Sequence, residues 1–336
     1  MESNYLIDEP NRVADVYRNY RPTVTPFEIE RRLDFIDISE EGYAILGSSN
    51  LSGRYWRGSV WYFKNASLAP RKESCATGTE CESSVCEGKF IDAKKTIIVG
   101  EDSGAVTVLE LIEEDDQPIS LEGKNSRHDH DSCVLSISVS SDKSSVVTAG
   151  MDLCIKVWDT DELVPAHTYR CAHSHHIMNV AYSTEAASEV FASCGLDGAA
   201  LLWDTRQPKP ATVIVDDPKE GLTAIAWQSG DSNTLVVGSA FGTVSMLDIR
   251  TRSVLRQSYL FQRPIYKLLS IEPSSLATCA DSHEVIVLDP LTEDLKVRYK
   301  DERHTDFVRG LSFDKQSRTL YSCGWDKQVI AHAIDL

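Results

Sequence analysis

Apolar residues in this chain come in short alternating bursts separated by turn-forming residues. The stretch from His173 to Asp204, HSHHIMNVAYSTEAASEVFASCGLDGAALLWD, shows the pattern most clearly. Ile177, Val180 and Tyr182 form one burst, Val190 and Ala192 a second, and Ala200 and Leu202 a third. Ser183 to Ser188 and Gly195 to Gly198 separate them. Alternation over five or six residues marks a strand, and Ser/Gly/Asp clusters mark turns, so the stretch predicts a three-stranded meander with a fourth strand one turn later.

The same unit recurs along the chain. Positions equivalent to Trp203 are Phe63, Leu109, Trp158, Leu247, Leu288 and His332, and the seven successive positions are 46, 49, 45, 44, 41 and 44 residues apart. The segments ending there (GSVWYF, GAVTVL, LCIKVW, GAALLW, GTVSML, EVIVL, KQVIAH) are rich in β-branched and aliphatic residues. Seven four-stranded units of 40 to 49 residues resemble the blades of a WD40 propeller. The fold class expected is therefore all-β: a seven-bladed propeller over residues 27–336, each blade four antiparallel strands. Residues 1–26 are polar, with Pro10, Pro22 and Pro26, and read as an N-terminal arm. Its later part, Tyr17 to Thr25, is expected to close the ring as the outer strand of the last blade.

A fixed polar set recurs in units three, four and seven: His130, Thr148, Asp152, Trp158; His173, Ser193, Asp197, Trp203; and His304, Ser322, Asp326 with His332 in the tryptophan position. The hydroxyl precedes the Asp by four residues and the Asp precedes the ring by six. This matches the structural tetrad of WD40 blades, which implies that His in the loop leading into a blade bonds Asp in the turn between second and third strands, while the hydroxyl links His to the indole. A buried Asp needs such donors. Ser, His and Asp also make hydrolase triads, but three copies at equivalent places in a repeat are structural glue rather than an active site. No catalytic residue is assigned, and the chain is read as a non-enzyme without a cofactor.

Composition narrows the setting. With 42% hydrophobic and 25% charged residues the chain is an ordinary globular one. A formal charge of −17 opposes direct nucleic-acid binding and favours basic partners. The first twenty residues hold Glu2, Asp8, Glu9 and Asp15 with no apolar run, so no secretory leader is expected, and no stretch approaches a membrane span. Nine cysteines without framework spacing fit a reducing compartment, cytoplasm or nucleus. Cys75, Cys81 and Cys86, in the connection from Asn65 to Lys89, lack the paired spacing of a zinc site and read as loop residues. His175 and His176 read as exposed, His173 being taken by its tetrad. GEDSG at Gly100 to Gly104 is a hairpin turn, since neither a helix nor a Lys follows it.

If His and Asp of each tetrad meet, the loops leading into the blades and the turns between second and third strands open on one face. Unit one has an enlarged turn there, NLSGRYWRG from Asn50 to Gly58, exposing Arg54, Tyr55, Trp56 and Arg57. Unit seven, its neighbour in a closed ring, brings Trp325 in its turn and Phe307 in its leading loop, and Arg170 sits just before His173. Aromatic and Arg side chains are the types that anchor interfaces.

LGSSNLSGRYWRGSVWYFK (Leu46 to Lys64), EDSGAV (Glu101 to Val106), DLCIKVWD (Asp152 to Asp159), LLWDTRQPKPA (Leu201 to Ala211), and HTDFVR with GWDKQV (His304 to Arg309, Gly324 to Val329) resemble the methylosome protein 50 family, the WD-repeat partners of protein arginine methyltransferase 5. The likeness runs from about residue 30 to residue 334. It implies a non-catalytic subunit that docks on the methyltransferase and helps to capture substrates such as histones and Sm proteins. The loop holding Arg54 and Trp56 would supply the docking contact and Arg170 a second one, while S-adenosylmethionine would be bound by the partner. The alternative reading is an independent WD40 adaptor, such as a histone chaperone or ubiquitin-ligase substrate receptor, taking a basic peptide through the central channel.

Overall fold

The computed structural model describes residues 28–52, 55–114, 117–183, 189–207, 209 and 212–334. They form seven antiparallel sheets in chain order. Blade 1 is β1 (Arg32–Ile38), β2 (Ala44–Ser52), β3 (Tyr55–Phe63) and β4 (Thr77–Cys81). Blade 2 is β5 (Val85–Phe90), β6 (Thr96–Glu101), β7 (Val106–Ile112) and β8 (Ser120–Arg127). Blade 3 is β9 (Val134–Val139), β10 (Ser145–Gly150), β11 (Ile155–Asp159) and β12 (Pro165–Tyr169). Blade 4 is β13 (Ile177–Tyr182), β14 (Val190–Gly195), β15 (Ala199–Asp204) and β16 (Thr212–Asp216). Blade 5 is β17 (Leu222–Trp227), β18 (Thr234–Ser239), β19 (Thr243–Asp248) and β20 (Ser253–Tyr259). Blade 6 is β21 (Ile265–Glu272), β22 (Ser275–Ala280), β23 (Val285–Asp289) and β24 (Lys296–Asp301). Blade 7 is β25 (Val308–Asp314), β26 (Thr319–Gly324) and β27 (Val329–Ala333).

The seven-bladed all-β expectation holds, with all seven repeats where the spacing puts them. Among the described residues the last blade has three strands. The arm expected to supply its fourth lies outside them.

Each blade is a sheet seen edge-on, so its middle strands are covered on both faces and read as continuous apolar runs rather than strict alternations. The core is correspondingly divided into clusters between neighbouring blades. Trp203 and Phe191 of blade 4 pack on Val147, Val157 and Tyr169 of blade 3, and Trp158 of blade 3 packs on Ile98, Val106 and Val108 of blade 2. The ring closes where Leu33, Ile36, Leu46, Trp61 and Phe63 of blade 1 meet Tyr321 and Cys323 of blade 7. A backbone N–H of Ile38 donates to Ser312 Oγ across that seam at 3.0 Å. Between blades 1 and 2 the Phe35 ring lies against two glycines. A Cβ on Gly47 would come within 2.1 Å of it and one on Gly88 within 2.4 Å, so only glycine admits the ring at either place.

The innermost strand of every blade carries a β-bulge near its start, at Asp34, Cys86, Leu135, Met178, Thr223, Tyr266 and Arg309. The extra residue re-aims side chains at the rim of the sheet. Just below this level Lys267 Nζ of blade 6 pairs with Glu87 Oε1 of blade 2, two blades that are not neighbours in the ring. The pair therefore spans the channel. Glu87 Oε2 also accepts from Ile137 N–H at 3.1 Å. Burial opposes the Glu87 charge, but Lys267 and Lys89 outweigh it and hold the carboxyl below its ordinary range.

Candidate protein-docking face

The three tetrads form as the spacing predicts. In blade 3, Asp152 Oδ2 lies 2.8 Å from His130 Nδ1, Thr148 Oγ1 lies 2.8 Å from His130 Nε2, and Trp158 Nε1–H donates to that hydroxyl at 2.8 Å. Blade 4 repeats this with His173, Asp197, Ser193 and Trp203 at 2.7 to 3.1 Å. The directions are forced. Asp accepts from His Nδ1–H, His Nε2 accepts the hydroxyl proton, and the hydroxyl oxygen accepts the indole N–H, so every polar atom of the set is used, and the Thr148 and Ser193 hydroxyls are fully buried. In blade 7, His304 bonds Asp326 at 2.9 Å and Ser322 at 2.7 Å, and His332 Nε2 replaces the indole on Ser322 at 2.8 Å. Burial depresses the His332 pKa to about 4, which keeps it the neutral donor this position needs.

These bonds tie each second-to-third-strand turn to the loop leading into its blade, so both open on one face. β10, β14 and β26 end there at Gly150, Gly195 and Gly324. In register the blade 1 equivalent is Ser48, because Ser48 faces Leu33 as Gly324 faces Val308. β2 does not stop at it. It continues to Ser52 and pairs with an early start of β3 through Asn50↔Arg57, Leu51↔Trp56 and Ser52↔Tyr55. The enlarged turn read from the sequence over Asn50 to Gly58 is thus a projecting two-stranded hairpin. Main-chain pairing sets Tyr55, Trp56 and Arg57 opposite Ser52, Leu51 and Asn50, so most of the segment is ordered ladder rather than loop. Arg54 lies outside the described residues.

At this tip Tyr55 is 76% exposed, Leu51 51% and Trp56 36%. Arg57 is exposed and lines a cleft with Glu30, Glu80 and Glu82. Trp56 is not free of its own blade. The Arg32 guanidinium lies 4.8 Å from the Trp56 ring centre and 4.8 Å from that of Trp325. Arg309 continues the stack, 4.4 Å from Trp325 and 4.3 Å from Tyr266, and it donates to Asp281 Oδ1 at 2.7 Å. Phe307 packs on Trp325 with ring centres 5.6 Å apart. The series Trp56, Arg32, Trp325, Arg309, Tyr266 therefore crosses blades 1, 7 and 6, alternating aromatic face and cation.

Trp325 is also fixed by its N–H, which donates to Asp34 Oδ1 at 3.1 Å. The tetrad Asp326 is thus not what holds it. Asp34 Oδ2 accepts no hydrogen bond. Burial raises the Asp34 pKa to about 6, and the nearby Ser49 hydroxyl, Trp325 N–H, Arg309 and Arg32 only partly offset that.

The structure thus brings Trp56, Trp325 and Phe307 to one border. Arg170 does not join them: it is exposed in the connection between blades 3 and 4, three blade borders away, with its charge felt by Cys154. Arg32, Arg309, Asp34 and Leu51 were not singled out from the sequence. Their partners come from other strands or other blades, and only the register of the hairpin tells that Leu51 stands beside Trp56. The Cys75 to Cys86 stretch is also not a plain loop. Cys81 ends β4 and Cys86 lies in β5.

Comparisons with known proteins agree with this architecture. The family model "WD domain, G-beta repeat" matches residues 123–159 and 296–330. The methylosome protein WDR77 of Xenopus laevis is 33% identical over 316 residues, covering 93% of this chain and 92% of that protein. Protein valois of Drosophila melanogaster is 24% identical over 327 residues, covering 90% and 85%. A chain in the crystal structure of a mitotic checkpoint complex superposes with a TM-score of 0.72 over 93% of this chain and 90% of its own, at 15% identity, which speaks to the fold alone. Identity of 33% over 93% of the chain, on the seven-bladed fold described above, makes the chain a WD40-repeat propeller belonging to the family of the methylosome protein WDR77.

Proposed function

We propose that the chain is a non-catalytic scaffold subunit of an arginine methyltransferase complex. It docks on protein arginine methyltransferase 5 through the blade 1 hairpin and holds basic substrates such as histones and Sm proteins near the active site for symmetric arginine dimethylation. The observation that carries this reading is the hairpin itself: main-chain pairing pushes Leu51, Tyr55 and Trp56 out past the level where other blades turn. An exposed, rigidly mounted indole with apolar neighbours is what fills a partner's pocket. Family membership supports the choice of partner, because the relative's own name ties it to the methylosome. The charge of −17 supports basic substrates by long-range attraction. Methyl transfer and S-adenosylmethionine belong to the partner in this reading, and the compartments proposed are cytoplasm and nucleus.

The adaptor alternative asks a basic peptide to enter the central channel. The Glu87 to Lys267 pair spans that channel and Lys89 lies beside it, so a cationic chain would meet two lysines and a carboxylate already neutralised. This favours the docking face over the channel.

The test is a pull-down with wild type and Trp56→Ala, scoring bound arginine methyltransferase and symmetric dimethylation of a histone or Sm tail peptide. Loss of an interface anchor costs about 2 kcal/mol or more, roughly 30-fold in affinity, so the variant should fold, lose capture and lower methylation. Failure of wild type to bring down a methyltransferase would refute the reading; equal capture by both would refute Trp56 as its anchor.

A further inference from the structure

Two of the nine cysteines meet. Cys86 Sγ lies 3.3 Å from Cys133 Sγ, and both thiols are free. Cys86 is the bulged residue of β5 and Cys133 directly precedes β9, so the contact joins blades 2 and 3 at the rim of the channel. Two unbonded sulfurs are rarely this close, while a disulfide holds them at about 2.05 Å. Closing the bond needs the sulfurs to approach by roughly 1.3 Å more.

The backbones on either side are held by hydrogen bonds. Val85 N–H donates to Ser49 Oγ at 3.1 Å, and Met151 N–H donates to Cys133 O at 3.0 Å. Gly150 allows this approach: a Cβ there would sit 2.0 Å from Cys133 O. Both residues are partly exposed. The hydrogen bond between the two sulfurs pushes the Cys86 thiol up, with burial and then the charges of Cys133, Asp34 and Asp102 adding to the push. The same bond, against burial and Asp102, holds the Cys133 thiol below its ordinary value.

We propose that Cys86 and Cys133 are a redox pair that hydrogen peroxide closes into an inter-blade disulfide. The thiolate of one cysteine attacks one peroxide oxygen, the O–O bond breaks, and hydroxide leaves and takes up a proton as water. That cysteine is then a sulfenic acid. The sulfur of the other attacks the sulfenic sulfur, the S–O bond breaks, and the departing hydroxide takes the second thiol's proton as a second water. Two thiols have given two electrons to one peroxide. Such a bond in a reducing compartment is transient and serves sensing rather than permanent stability. It encloses the 47-residue separation between the two cysteines, so while present it restricts the unfolded chain.

The test treats the reduced full chain with hydrogen peroxide, blocks remaining thiols by alkylation, and digests with a protease that cuts after acidic residues, isolating Cys86 between Glu82 and Glu87. The expected result is a Cys86–Cys133 linked peptide as the main disulfide, with a thermal midpoint raised by several degrees and restored by dithiothreitol. In Cys86→Ser and in Cys133→Ser the linked peptide should be absent, and the attacking cysteine, when its partner is serine, should persist as a sulfenic acid that dimedone traps. Recovery of both wild-type thiols alkylated, or of either bridged to another cysteine, overturns the proposal. The mapping is done on wild type, so a variant that fails to fold leaves it decided.

Discussion

In blade 4 the hairpin β14 to β15 turns at Leu196 to Gly198, and Asp197 in that turn is bound by His173 from the leading loop and, through Ser193, to Trp203. In blade 1 the same hairpin has no His, no Asp and no hydroxyl at those positions, and it runs four residues further. Its indole is satisfied differently: Trp61 Nε1–H donates to Ser59 Oγ at 2.8 Å, Ser59 and Ser48 hydroxyls bond at 2.9 Å, and Glu30 N–H donates to Ser48 at 3.2 Å. Where the tetrad occupies the turn, the turn is committed to stability. Where a serine pair does that work within the strands, the turn is free to project. Blade 7 does both, with His304 on Asp326 and the adjacent Trp325 turned outward onto Arg32.

The comparison predicts opposite consequences for two tryptophans. Trp203→Ala should destabilise by about 3–5 kcal/mol, since the ring is buried against Phe191 and Tyr169 and its removal leaves a cavity. Denaturant titration should show this, while Trp56→Ala unfolds at nearly the wild-type midpoint. A like loss for Trp56→Ala would mean that the hairpin is structural.

A smaller effect is expected at the turn. Asp197→Asn should cost about 1–3 kcal/mol, by weakening a charge-assisted bond at a buried His. Burial works against the Asp197 charge, but donors from His173, Ser174 and Ala199 outweigh it and hold the carboxyl below its usual range. The stability it adds is present above the ordinary carboxylate pKa and is lost as pH falls through the lowered folded value. Wild type should therefore lose stability on acidification below about pH 4 more steeply than the variant, measured as midpoint against pH.

The smallest effect should come from Arg32→Ala. The guanidinium lies between Trp56 and Trp325, and its cation–π contact with Trp56 contributes about 0.5–1 kcal/mol, so the proposed capture of the methyltransferase should weaken roughly 2- to 5-fold without loss of fold. Arg32→Lys should recover part of it. No change in dissociation rate for Arg32→Ala would show that Trp56 needs no positioning.

Much of this was legible beforehand because it is local. Burst and turn spacing gave seven blades, and the four- and six-residue offsets within one hairpin gave the tetrads, since strand register carries those distances unchanged from blade to blade. Trp56, Trp325 and Phe307 could be placed on one face for the same reason. From the sequence the hairpin reads as an enlarged turn, because Gly53 and Gly58 look like turn punctuation; Gly58 instead lies in β3, where a Cβ would meet Ser83 O at 2.4 Å. That close approach belongs to a neighbouring segment and leaves no mark on the local pattern.

The sequence by itself determined the repeat, the strand order, the tetrads and the excess of negative charge, all of which follow from periodicity and composition. Only the tertiary structure decided that Arg32 sits between two indoles of different blades, that Asp34 receives the Trp325 N–H, that Glu87 and Lys267 span the channel, and that Cys86 faces Cys133. Each of these joins residues brought close by ring closure or by the stacking of neighbouring blades, and the distance between blades is set by how their apolar faces pack, which no single strand encodes.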